Sequence, residues 1–133
     1  MSDERDVVIA SSADVVGVRQ LVRSVAVEVG LSLVDQTKVV TAASELARNA
    51  LVYAGGGDVR IAVVENGLRR GLKLVFSDKG PGIPDIEQAL VDGWTTGTGL
   101  GLGLGGSRRL VDEFDLASPP GKGTTVTVTK WAR

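Results

Sequence analysis

Apolar positions along the chain switch between two periods, and the switches divide it into elements. Val7 to Ala10 form a short apolar run, which predicts a first strand. From Asp14 to Val29 the spacing lengthens. Val18, Leu21, Val22, Val25, Ala26 and Val29 recur at helical intervals, and Gly30 supplies a stop. Ser32 stands three residues before Asp35, a capping box with the shorter acid. It opens a longer helix, from about Leu33 to Tyr53, whose apolar face is Val39, Val40, Ala43, Leu46, Ala47, Ala50 and Leu51. The glycine run Gly55 to Gly57 ends it. Two strands follow, Val59 to Glu65 and Leu72 to Phe76, joined by a turn at Asn66-Gly67 that Arg69 to Gly71 extend. Ser77 to Pro84 is rich in Gly and Pro and predicts a loop. Ile86 to Val91 predicts a short helix and Ser107 to Phe114 another. Leu116 to Ser118 and Thr125 to Thr129 predict closing strands, and the alternation in TTVTVT suits a half-exposed antiparallel one.

Helices bunched between antiparallel strands imply an α+β fold. The expected architecture is a two-layer sandwich, with a mixed but mostly antiparallel sheet and helices on one face. Strict strand–helix alternation is missing, which argues against a doubly wound sheet. No linker or repeat divides the 133 residues, so one domain over 1–133 is expected.

Composition then removes whole classes of chemistry. There is no cysteine and no histidine. Thiolate zinc sites, cysteine nucleophiles, histidine bases and phosphohistidine acceptors all fall away. Lys and Arg total 15 against 16 Asp and Glu, a balance with no electrostatic footprint for nucleic acid or anionic membrane. The opening MSDERDVV is charged and lacks an apolar signal core, so a cytoplasmic protein is expected.

Four stretches carry candidate chemistry. GTGLGLGLGG, Gly97 to Gly106, matches G-x-G-x-x-G but follows DGWTT rather than an apolar strand, and no glycine run continues as a Walker loop. What remains is a flexible segment leading into a helix, whose unhindered amides can form a nest for anionic oxygens. In SELARNA, Glu45 and Asn49 are four apart and share one helix face. The carboxylate can take a proton, and the amide oxygen suits a hard cation that keeps most of its waters. In SDKGPGIPD, Asp78 ends a strand before a glycine turn, where an acid can accept from a base edge. In GKGTTVTV, Gly123 and Thr124 precede the last strand. Singly, each has a plain reading: a surface loop, a wet helix face, two turns.

Together, in this order, they resemble the GHKL (Bergerat) ATP-binding fold, with its helical Glu/Asn box, D-x-G-x-G box, glycine-rich lid and terminal Gly-Thr box. The stretches VDQTKVVTAASELARNALVYAGGG, DKGPGIPDI, DGWTTGTGLGLGL and TKWAR narrow the likeness to switch serine/threonine kinases of the RsbT type. The resemblance implies ATP and Mg²⁺ as ligands. It implies Glu45 as the base, Asn49 on Mg²⁺, Asp78 and Thr124 at the adenine, Gly80 and Gly82 for close approach, and Gly99, Gly101 and Gly103 in the lid. It further implies phosphorylation of a STAS-domain antagonist, followed by activation of a PP2C-type phosphatase in a partner-switching stress response. Arg19 and Arg23, four apart on the first long helix, are candidate partner contacts. The family's anti-sigma kinases carry a basic residue at the lid. The run from Gly97 to Gly106 has none, and Lys79 or Arg108 are the candidates to replace it. Two other readings stay open: an anti-sigma kinase that sequesters a sigma factor, and a non-enzymatic module shaped by nucleotide.

Overall fold

The computed structural model describes residues 4–80, 103–118 and 123–133. Five strands form one sheet. They are β1 (Glu4–Ile9), β2 (Gly57–Asn66), β3 (Arg69–Asp78), β4 (Glu113–Ala117) and β5 (Thr124–Trp131), in the spatial order β1-β2-β3-β5-β4. Every pairing is antiparallel. Helices α1 (Ser12–Val29) and α2 (Leu33–Ala54) pack on each other and on the sheet. A short α3 (Gly103–Arg109) lies against α2. The α+β sandwich expected from the sequence is the observed fold.

The helix ends follow from local chemistry. Ser11 and Ser32 are the N-caps, accepting from the amides of Asp14 and Asp35. Asp14 reaches back to accept from the Ala10 amide at 2.8 Å. Gly30 and Gly55 close the helices at φ 89° and 76°, a left-handed geometry that costs a side-chain-bearing residue about 1 kcal/mol or more. Neither helix has a basic residue in its last turn. For α1 the Arg70 guanidinium supplies one from β3, donating to the Glu28 carbonyl at 3.4 Å.

Strand alternation sorts the sheet into two faces. Ile9, Val59, Ile61, Leu72, Leu74, Phe76, Val126 and Val128 point under the helices and are buried. They meet Val18, Val22, Val25, Val39, Val40, Ala43, Leu46 and Ala47 from α1 and α2. Each fully buried Val, Leu or Ile contributes about 1.5–3 kcal/mol. Few aromatics enter this core, so its thickness is set by branched aliphatics and by alanines that let α2 approach closely.

Several boundaries differ from the sequence reading. The helix expected at Ser107 to Phe114 ends at Arg109, and Phe114 belongs to β4. Gly103 to Gly106, read as part of the glycine segment, already form α3. Arg69 to Gly71 are strand, because the hairpin closes through two residues, Gly67 and Leu68, with Gly67 at φ 63°. β1 starts earlier, at Glu4, where register with β2 gives it partners through Ala62. The short helix expected at Ile86 to Val91 lies outside the described residues.

One end of the sheet is fastened by charge. Lys130 projects from β5 toward the helix layer and is 5% exposed. Its ammonium lies 3.5 Å from Asp35 in the first turn of α2 and 3.4 Å from Asp112 before β4. Asp112 also accepts from the Trp131 amide at 2.8 Å and pairs with Arg133 at 2.6 Å. Burial pushes the Asp112 carboxyl up. The Trp131 amide, Lys130 and Arg133 together outweigh it and hold the group below the usual carboxylate range.

Candidate functional site

Asp78 is the last residue of β3 and pairs with Thr124, the first of β5. Its side chain therefore falls at one end of the sheet's central strands, on the face the helices cover. Its Oδ1 accepts from the Gly80 amide at 2.9 Å and from the Thr124 amide at 3.2 Å. Oδ2 takes no bond among the described residues. The carboxylate is thus fixed by two backbone donors on one oxygen, with the other left to accept.

Three glycines make room for this corner. A Cβ at Gly57 would collide with the Ser77 carbonyl oxygen. One at Gly123 would collide with the carbonyl of Asp78, and Gly123 also has φ 83°. One at Gly80 would come within 2.7 Å of the Ala54 Cβ. The backbone around Asp78 is closed to any larger residue at all three positions. Gly80 and Gly123 belong to motifs read from the sequence, whereas Gly57 was read as a helix stop only. Its signal was the third glycine in AGGG, one more than a helix cap requires.

The Gly80–Ala54 contact also fixes where the corner lies: against the last residue of α2. At about 1.5 Å per residue, Asn49 lies roughly 7.5 Å and Glu45 roughly 13.5 Å back along the helix axis from that point. Asn49 is half-buried. Glu45 is 8% exposed, and its Oε1 lies 3.8 Å from Arg48 one turn on. The strand-end acid and the helical Glu/Asn pair are far apart in sequence, and the fold sets them along one line. Across α2 lies α3, with Leu104 in the core and Ser107 fully buried. Gly103 is the first residue of that helix. Gly82, Gly99 and Gly101 lie outside the described residues. Lys79 and Arg108 are both exposed, as are Arg19 and Arg23 on α1.

On the side of β5 away from β3, the Thr124 hydroxyl lies 2.8 Å from that of Ser118, just past the end of β4. Ser118 joins this corner structurally, and motif reading does not single it out. Its only sequence signal is a hydroxyl just before the PPGKG stretch.

Among the described residues no group of three or more Asp or Glu side chains is placed to hold a metal. The second carboxylate oxygen of Asp78 is an acceptor of the kind that the amino edge of an adenine would need.

Residues 34–133 match the family described as histidine kinase-, DNA gyrase B-, and HSP90-like ATPase. The chain is 48% identical over its full length to the serine/threonine-protein kinase RsbT of Bacillus subtilis, and covers all of that protein. It is 28% identical to the anti-sigma F factor of Caldanaerobacter subterraneus, over 85% of this chain and 82% of the other. Among solved structures it resembles the RsbU and RsbW domains of a Mycobacterium tuberculosis protein. There the TM-score is 0.66 at 22% identity, over 98% of this chain but only 33% of that one. It also resembles the mycobacterial sensor histidine kinase MprB, with a TM-score of 0.55 at 20% identity, over 100% and 99%. The two structural likenesses concern the fold. The full-length identity reaches further: the chain belongs to the histidine kinase-, DNA gyrase B- and HSP90-like (GHKL) ATPases, and within them it is a protein serine/threonine kinase of the RsbT type.

Proposed function

We propose that this kinase uses Mg-ATP to phosphorylate a serine or threonine of a STAS-domain antagonist, and then binds and activates a PP2C-type phosphatase. The observation that carries the reading is the Asp78 corner abutting the end of α2, in a chain so similar to RsbT along its whole length.

In this reading the adenine amino group donates to Asp78 Oδ2, beside Thr124. Gly80 and Gly82 let the base approach the backbone. The triphosphate runs back along α2 toward Asn49 and Glu45, under the segment containing Gly99, Gly101 and Gly103. Asn49 would hold Mg²⁺ through its amide oxygen, and the ion, when bound, would supply charge neutralisation for the phosphates. Glu45 takes the proton of the acceptor hydroxyl as its oxygen bonds to the γ-phosphorus and the bond to ADP breaks. General-base help of this kind is worth about 10²–10⁴-fold. Positioning and charge neutralisation supply the rest.

The outer face of α1 supports a protein partner. Val16, Arg23 and Val27 fall on one stripe, with Arg19 beside it, and all four are exposed. A mixed apolar and basic stripe suits a partner with an acidic rim. The anti-sigma F factor relatives favour one second reading, in which the same chain also sequesters a sigma factor.

The test is to incubate the protein with Mg-ATP labelled at the γ-phosphate and STAS proteins from the same genome. Label on one STAS protein, at serine or threonine, supports the proposal. Capture of a sigma factor by the same chain, alongside that phosphorylation, would favour the second reading.

A further inference from the structure

Arg48 has no role in the account so far, yet it is a charged neighbour of the residue read as the base. Its Nη1 lies 3.8 Å from Glu45 Oε1, across one turn of α2. The two side chains differ in access: that of Glu45 is 11% exposed and that of Arg48 43%. Glu45 also interacts elsewhere in the protein. What Arg48 adds is a full positive charge, carried by the more exposed partner. At 3.8 Å the pair is too long for a hydrogen bond, and a guanidinium does not give up its protons. Arg48 therefore attracts the carboxylate by charge alone and leaves it able to accept a proton.

Helix geometry sets this charge apart from Asn49. Each residue of an α-helix turns about 100°. Arg48 falls about 60° to one side of Glu45, and Asn49 about 40° to the other. The carboxylate is thus flanked, one turn on, by a cation on one side and a neutral amide on the other.

We propose that Arg48 is a positioning residue for phosphoryl transfer: its charge draws the Glu45 carboxylate away from the Asn49 side, clear of the nucleotide phosphates and toward the incoming hydroxyl. The proposal rests on the reading of Glu45 as the base. In that reading the acceptor oxygen bonds to the γ-phosphorus, the bond to ADP breaks, and the acceptor proton passes to Glu45. A carboxylate beside a triphosphate meets like charge and needs a fixed counter-charge to stay aimed. The sequence from Gly97 to Gly106 has no basic residue. Arg48 supplies one from α2 itself.

The experiment measures single-turnover transfer from ATP to the STAS protein that γ-phosphate labelling identifies. It reads the maximal rate and the STAS concentration that gives half of it, with ATP dissociation constants and thermal melts in parallel. It uses the full chain and the variants Arg48→Ala, Arg48→Lys, Glu45→Gln and the double variant Arg48→Ala with Glu45→Gln. Arg48→Ala should lower the maximal rate by about three- to tenfold, with half-saturation and ATP affinity unchanged. Arg48→Lys should restore most of the rate, because the ammonium brings the same charge. In the Glu45→Gln background, Arg48→Ala should slow transfer no further, because no carboxylate is left to aim. A raised half-saturating concentration at an unchanged maximal rate makes Arg48 a docking contact and overturns the proposal. So does Arg48→Lys as slow as Arg48→Ala, or slowing that persists in the Glu45→Gln background; either leaves Glu45 standing as the base. Transfer by Glu45→Gln at the wild-type rate overturns the base reading, and this proposal with it. Should Arg48→Ala fail to fold, Arg48→Gln, which keeps more of the stem, is judged by the same outcomes.

Discussion

Asp78 takes two backbone hydrogen bonds on one oxygen and leaves the other without a bond among the described residues, where the proposed nucleotide would donate. Replacing it by asparagine changes little in volume but turns one acceptor into a donor. Asp78→Asn should weaken ATP binding by about 1–3 kcal/mol, the cost of an unmade hydrogen bond in such a site. Isothermal titration with ATP checks this, alongside a thermal melt to show that the fold survives. Wild-type affinity in the folded variant removes Asp78 from the site. At this scale the sequence was informative where a chemical group is the signal. Glu45, Asn49 and Asp78 are polar residues at telling intervals, and could be picked out as candidates. Gly57 and Ser118 could not, because their importance is a close approach and a hydroxyl across a turn. Both depend on which strands become neighbours.

The caps of α1 and α2 could be read directly, since Ser11, Ser32, Gly30 and Gly55 act on residues within a turn of themselves. The break between α3 and β4 could not. Ser107 to Phe114 reads as helix by composition, but β5 offers Glu113 to Ala117 a full ladder, and tertiary pairing overrides local propensity. The Lys130 cluster was invisible for a related reason. Its acids, Asp35 and Asp112, come from opposite ends of the chain. It ties α2, β4 and β5 together, and it gives the fold a pH dependence of known sign. Asp112 has a folded pKa below its unfolded value of 3.8. Its contribution is therefore complete above that value and is lost as pH falls through the lower folded one. Asp112→Asn should cost about 1–3 kcal/mol at neutral pH, by taking one of the two carboxylates from a buried ammonium. It should also flatten the acid limb of stability against pH. Urea unfolding between neutral pH and about pH 3 measures both. An acid limb of unchanged slope would contradict the assignment.

The whole molecule divides its work between faces. The helix-covered side of the sheet holds the core and, at one end, the Asp78 corner. The outer side of α1 is the face proposed to meet a partner. The sandwich itself was legible, because two long amphipathic helices and alternating strands leave few other ways to bury their apolar faces. Which helix would turn a basic and apolar stripe outward was less so, since exposure of Val16 and Val27 depends on how α1 rolls against α2. Reversing both charges, Arg19→Glu with Arg23→Glu, should weaken binding to the STAS partner by tenfold or more, on the order of 1–3 kcal/mol for two rim contacts, with ATP affinity unchanged. A pull-down titration reads this, and undiminished binding would exclude the stripe. The central claim is that α2 and the Asp78 corner form one phosphotransfer site, with nucleotide held at one end and a base at the other. The most direct test is single-turnover phosphoryl transfer to the STAS partner by Glu45→Gln, with ATP titrated in parallel. The account predicts near-normal ATP binding and transfer slowed by about 10²–10⁴-fold. Transfer at the wild-type rate would contradict it.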